Sequence, residues 1–339
     1  MSQAIEVINT TESDITEDYE TTAIPGGFEF AGCIFTAVIA KPLEEAITSC
    51  AFRKFTELTA FTLPDTLTAV GDRAFFECTS LTTLTLPDSL TSIGDYAFYG
   101  CGGLTSLALP ELVTSLGDEA FCQCSGLTSL ALPDSLTTIG RGAFSHCSGL
   151  TSAVLPDSLT TIGRSAFELC KGLTSLVFPD SLTTVGDYAF SACKRLTSLE
   201  LPNSLTTIGE SAFRACKRLT ALTLPESLTT VGTKAFCRCR GLTSLTLPHK
   251  LTNVGHFAFG DCPVLNSVIF WPRVSSAFIA WSVSNSHNRA NWQLTTLKRL
   301  RSVLGLITAF ALERRDVASV DPDGSKHVFL VQTLNFALF

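Results

Sequence analysis

The chain carries 13 cysteines in 339 residues. Thiols offer the widest choice of chemistry among its side chains: disulfides, metal thiolates or nucleophiles. Nine of them, Cys78, Cys101, Cys124, Cys147, Cys170, Cys193, Cys216, Cys239 and Cys262, stand 23 residues apart. So regular a spacing belongs to stacked turns, whose successive Cα atoms lie about 5 Å apart, inside the disulfide window. The column runs beside a column of phenylalanines, where a reduced thiol behaves as a small hydrophobe. With no oxidising compartment indicated, reduced core cysteine is the expectation. Cys122 with Cys124, and Cys237 with Cys239, have metal half-site spacing. The two pairs are five turns apart, about 24 Å, and cannot share one ion. No metal is expected.

The five histidines, His146, His249, His256, His287 and His327, fall in different columns or in the tail. No Ser-His-Asp arrangement can be built from residues on neighbouring turns. Glycines recur singly and form no phosphate-cradling loop. No catalytic residue and no cofactor are expected, so the chain reads as a non-enzyme.

Charge is the remaining chemistry. A carboxylate follows a proline in most turns: Asp65, Asp88, Glu111, Asp134, Asp157, Asp180 and Glu226, with Asn203 and His249 interrupting. Such a ladder could bind Ca²⁺, but turn chemistry on a solvated edge is the preferred reading. Cations collect at the ends of the later units: Lys171, Lys194, Arg195, Lys217, Arg218 and Arg240, with Arg214 and Arg238 nearby. Earlier units have Thr79, Gly102, Ser125 and Ser148 there. Loop drift would produce this, and so would selection for a protein partner with an acidic surface. These eight cations are the candidate partner-binding residues, and the C-terminal helical segment is a second docking element.

The element that must position all of this is the unit LTSLALPDSLTTIGRGAFSHCSG, residues 127–149, which returns every 23 residues without insertion or deletion. A fixed period of this size is the signature of a solenoid, in which each unit buries its apolar face on its neighbours. Leucines at places 1, 4 and 6 alternate with Thr or Ser, as in a strand with one buried face. Pro-Asp-Ser turns the chain, Asp and Ser bonding nearby backbone. A second short strand ends at the place-14 glycine, for positive φ or for close approach. Ala, Phe and Cys then fill the core from an irregular or single-turn helical return.

The expected organisation is an acidic disordered tail (1–25), a degenerate N-terminal capping repeat (26–57), nine regular repeats (58–264), a partial repeat (265–276) and a helical C-terminal appendage (277–339). The tail carries six carboxylates and no Lys or Arg, a composition that cannot offset chain entropy. The appendage rests on helical spacing through Trp292, Leu297, Leu300, Leu304 and Ile307. No signal-like N-terminus and no apolar run of about 18 residues is seen. A cytoplasmic, soluble protein is therefore expected. The net charge of −7 argues against a general binder of nucleic acid. The inner sheet face offers Ser106, Ala108, Ser129, Ala131, Ser152, Val154, Ser175, Val177, Ser198 and Glu200, without the aromatic or Arg anchors that dominate binding energy.

The pattern LxxLxLPxSLTxIGxxAFxxC resembles the BspA-like (Treponema-type) leucine-rich repeats over residues 35–270. The resemblance implies a curved solenoid, a β-dominated α/β horseshoe with a parallel sheet on its inner face. It also implies a role in binding proteins or surfaces, with no enzyme site in the repeat. Bacterial members are often secreted adhesins, so extracellular or cell-surface adhesion is the alternative to an intracellular interaction scaffold.

Overall fold

The computed structural model describes residues 46–270 and the strands Ile5–Ile8 and Ala37–Ala40. The rest of the acidic tail and the helical appendage lie outside the described residues. Ile5–Ile8 pairs antiparallel with Ala37–Ala40, which pairs in parallel with Ala60–Thr62.

The turn at 150–172 shows how the sequence builds one coil. Ser152–Val154 is the first strand, with Ala153 buried between two exposed neighbours. Pro156 then turns the corner, closed by the Leu159 N–H donating to the Pro156 carbonyl at 3.0 Å. Thr161–Ile162 is the second strand, and residues 163–172 return to the start as a run of turns. Both strands pair in parallel with their counterparts 23 residues on, Ser152 with Ser175 and Thr161 with Thr184. Two parallel ladders therefore run along the solenoid, and the described residues contain no helix.

The return arm solves the backbone problem that a non-helical segment would otherwise leave. Alternate N–H groups donate forward to the next turn, as Phe167 does to Ala189 and Leu169 to Ser191. Two residues per arm take up positive φ, here Ser165 (55°) and Leu169 (60°). The glycines that open these arms serve the other of the two roles expected of them. A Cβ at Gly209 would lie 2.6 Å from Gly186 C and from Asp187 N, so this column exists for close approach of adjacent turns. We expect Gly209→Ala to lower stability by about 1–3 kcal/mol, since backbone must shift to admit the methyl. Gly102→Ala, whose nearest neighbour would be the Ser125 hydroxyl at 3.4 Å, should stay within about 0.5 kcal/mol. Urea unfolding of the two variants separates crowding from conformational freedom.

The serine of Pro-Asp-Ser also differs from expectation. Its hydroxyl does not bond its own turn but the leucine carbonyl 22 residues back, as in Ser158 to Leu136 (2.9 Å) and Ser181 to Leu159 (2.7 Å). Neighbouring turns lie close enough that the adjacent coil outcompetes local backbone. Threonine hydroxyls do the same at 23 residues, for example Thr174 to Thr151 and Thr183 to Thr160.

Inside, the Phe column from Phe75 to Phe259 is fully buried. Its rings stack at 5.1–5.7 Å between centroids, with interplanar angles of 2–19°. Each column thiol donates to the Phe carbonyl 26 residues back, as Cys170 Sγ does to Phe144 O at 3.1 Å. The polar end of the thiol is thereby satisfied within an apolar core.

Each ladder breaks once beside the same turn, on opposite faces of it. No register among the described residues joins Thr83–Thr85 to Ser106–Ala108, nor Ser115–Leu116 to Thr138–Ile139. Both gaps border the turn at 104–126, where Leu112 replaces the bonding serine and is 54% exposed. The widest ring spacing, 5.7 Å between Phe121 and Phe144, falls beside it.

Candidate functional site

Lys171, Lys194, Lys217 and Arg240 occupy the same place in four successive turns, just where the return arm meets the first strand. One cation per turn at strand spacing makes a ladder with a rung about every 4.8 Å. Arg195 and Arg218 follow directly in the two middle turns, and all six side chains are exposed. None of the six forms an ion pair among the described residues. Their like charges repel, by about 1 kcal/mol or less per pair in water.

Arg195 and Arg218 stand in a column that five other turns fill with glycine. At Gly172 an added Cβ would meet the Ser148 and Leu150 carbonyls at 2.7 and 2.8 Å. In the turns these arginines lead into, the inner sheet thins to the single bridges Val177–Glu200 and Glu200–Thr223. The other two cations stand apart from the edge. Arg238 lies on a return arm and pairs with Asp261 at 3.4 Å, and Arg214 is half-buried on the preceding arm.

The opposite end of the first strand carries the acidic ladder. Asp65, Asp88, Glu111, Asp134, Asp157 and Asp180 are all exposed and form no ion pair among the described residues. At the ladder's last carboxylate, Glu226 Oε2 lies 2.5 Å from His249 Nδ1. Between the two ladders lies the inner face, where Val154 and Val177 are 72% and 75% exposed.

A further feature lies on the return arms of the N-terminal turns. Phe76 stacks on Tyr99 at 4.8 Å, Arg53 sits over Phe76 at 5.4 Å, and Arg73 sits over Tyr96 at 5.2 Å. Gln123 donates from Nε2 to the Tyr99 hydroxyl. Among the described residues the inner face offers no such Arg and aromatic groups, and reading the sequence at a period of 23 places Arg53, Phe76 and Tyr99 in line.

The buried column thiols offer no reactive site. Burial pushes Cys78, Cys170, Cys216 and Cys262 up to about 12, and it raises Cys124, Cys147, Cys193 and Cys239 as well. Cys122 lies beside Glu119 but is raised chiefly by burial, again to about 12. Thiolate is the nucleophilic and metal-binding form, so these groups are inert at neutral pH. Among the described residues no three His, Cys, Asp or Glu side chains gather as a metal site. No helix among them is long and apolar enough to cross a membrane.

The columns of this coil match a known pattern. The model of the BspA type leucine rich repeat region matches in six copies, over residues 45–174 and 160–280. A leucine-rich repeat protein of Treponema pallidum is 31% identical, over 47% of this chain and 77% of its own, with a TM-score of 0.45. A leucine-rich repeat protein of Bacteroides ovatus is 25% identical over 76% of this chain and 94% of its own, with a TM-score of 0.40. The pneumococcal vaccine antigen PcpA is 23% identical over 72% of this chain and 74% of its own, with a TM-score of 0.50. No curated protein matches the chain. With six copies of the repeat spread over well over half its length, the chain belongs to the BspA type leucine-rich repeat family.

Proposed function

We propose that the chain is a non-enzymatic interaction scaffold whose basic edge holds an acidic surface of another protein. The observation that carries this reading is the ladder of Lys171, Lys194, Lys217 and Arg240 with Arg195 and Arg218 beside it. These six exposed cations stand over four turns, unpaired among the described residues. Such a stripe does nothing for the fold, since like charges stacked along an edge repel. The recurrent Leu, Phe, Ala and Cys side chains are buried, which leaves recognition to the columns that vary. A reducing, intracellular setting goes with this reading, because the core thiols are free and hydrogen-bonded as donors.

The test is Lys194, Arg195, Lys217 and Arg218→Glu in one variant. A partner would first be recovered by affinity capture with the wild-type chain and identified by mass spectrometry, then titrated against both forms. Each exposed pair contributes about 0.2–1 kcal/mol, so losing four should weaken binding at least about fourfold. The dependence of affinity on salt should flatten as well. Unchanged affinity and unchanged salt dependence would remove the edge from the interface.

A further inference from the structure

The two charged ladders flank the same strand row, and they share a property that no irregular protein surface would copy. Each takes one residue per 23-residue turn, so each has the pitch of the solenoid, about 4.8 Å per rung. The cations of one edge occupy four consecutive turns, and the carboxylates of the other edge occupy six, from Asp65 to Asp180. The signs are also divided along the length. Residues 58–126 hold eight carboxylates against one cation, Arg73, whereas residues 196–241 hold six cations against three carboxylates.

A surface that meets Lys171, Lys194, Lys217 and Arg240 rung for rung must present carboxylates at the same interval in a straight row. The acidic edge of this solenoid does so. We infer that the basic edge docks on the acidic edge of a second copy of this chain, the two solenoids lying side by side. This deepens the reading above and rests on the basic edge being a binding surface.

Two consequences follow from the geometry. The contact joins different surfaces of the two copies, so it leaves one basic and one acidic edge free, and association continues past the dimer. The net charge of −7 opposes approach at long range. At moderate salt the Debye length is about 8–10 Å, which screens that repulsion while sparing charges in contact. Salt well above that level dissolves the contact itself.

Sedimentation velocity of the full chain tests the idea without an external ligand. At about 0.1 M salt and protein concentrations on the order of 100 µM, the weight-average mass should climb with concentration beyond twice the monomer. At about 1 M salt it should fall to the monomer. A variant with Lys171, Lys194, Lys217 and Arg240→Glu has two acidic edges. One with Asp65, Asp88, Glu111, Asp134, Asp157 and Asp180→Lys has two basic edges. Each alone should stay monomeric, and an equimolar mixture should associate again, which misfolded variants would not do. A wild-type chain that is monomeric throughout at the lower salt overturns the proposal, including the case in which its own acidic N-terminal segment covers the edge. So does association that survives either reversal. Monomeric wild type together with a charge-sensitive captured partner would leave the scaffold reading standing and remove only the second copy.

Discussion

Raising the pH from 7 to 10 should unfold the solenoid. Each of the nine column cysteines is held protonated by burial, with Cys78, Cys170, Cys216 and Cys262 pushed up to about 12. In the unfolded chain a thiol ionises near pH 8.5–9. Because the folded value is the higher one, the stabilising contribution is complete below about pH 8.5 and is lost as pH rises toward 12. At pH 10 each buried thiol then costs about 1.5–2 kcal/mol, as the unfolded chain gains from ionisation and the folded one does not. Nine such groups sum to roughly 13–18 kcal/mol, against the 5–15 kcal/mol that holds most domains together. Denaturant unfolding measured at steps between pH 7 and 10 reads this directly as a midpoint that falls ever more steeply. Replacing Cys124, Cys193 and Cys239 with serine should reduce the steepness by about a third, whatever the substitutions do at pH 7. A midpoint that stays level to pH 10 would mean that the column is open to solvent.

Phe167→Ala should lower stability by about 3–5 kcal/mol, the range for truncating a fully buried aromatic ring. The ring is 0% exposed and lies between Phe144 and Phe190 at centroid distances of 5.5 and 5.3 Å. Its removal opens a cavity and ends two stacked contacts at once. The neighbouring turns cannot close over the gap, because the register is pinned on one side by Ser152 to Ser175 and Thr161 to Thr184 and on the other by Ala131 to Val154 and Thr138 to Thr161. Urea unfolding monitored by circular dichroism gives the number. A loss below about 1 kcal/mol would contradict a continuous ring stack.

The period of 23 makes most of the core legible in the sequence. Leu150, Ile162, Phe167 and Cys170 are recognisable as inward places, and each is buried. The sequence does not declare which neighbour a polar group selects. Ser158 reads equally well as bonding its own turn or the coil beneath it, and the close spacing between coils decides for the latter. Gly209 leaves open conformational freedom or crowding, and only the position of Gly186 in the adjacent turn resolves it. The charged columns are similarly legible as columns. The pairing of Arg238 with Asp261, and of Arg73 with the Tyr96 ring, depends on side chains reaching from one turn to the next. Both lie one period apart, so a search for complementary residues at that interval would have found them.

The breaks in the two ladders, on opposite sides of the turn at 104–126, bear on how the molecule comes apart. In a coil where every layer leans only on the layers next to it, cooperativity passes through the hydrogen bonds that join adjacent layers. Each face of this layer keeps one ladder and its arm bonds, Phe98 to Ala120 before it and Phe121 to Ala143 after it, so it is a line of weaker joining and not a break. The acidic ladder spans that line, with Asp65 and Asp88 ahead of it and Asp134 to Asp180 behind, while every cation of the basic ladder lies behind it. Fraying that begins in the N-terminal turns meets this line before it reaches the edge that carries Lys171 to Arg240.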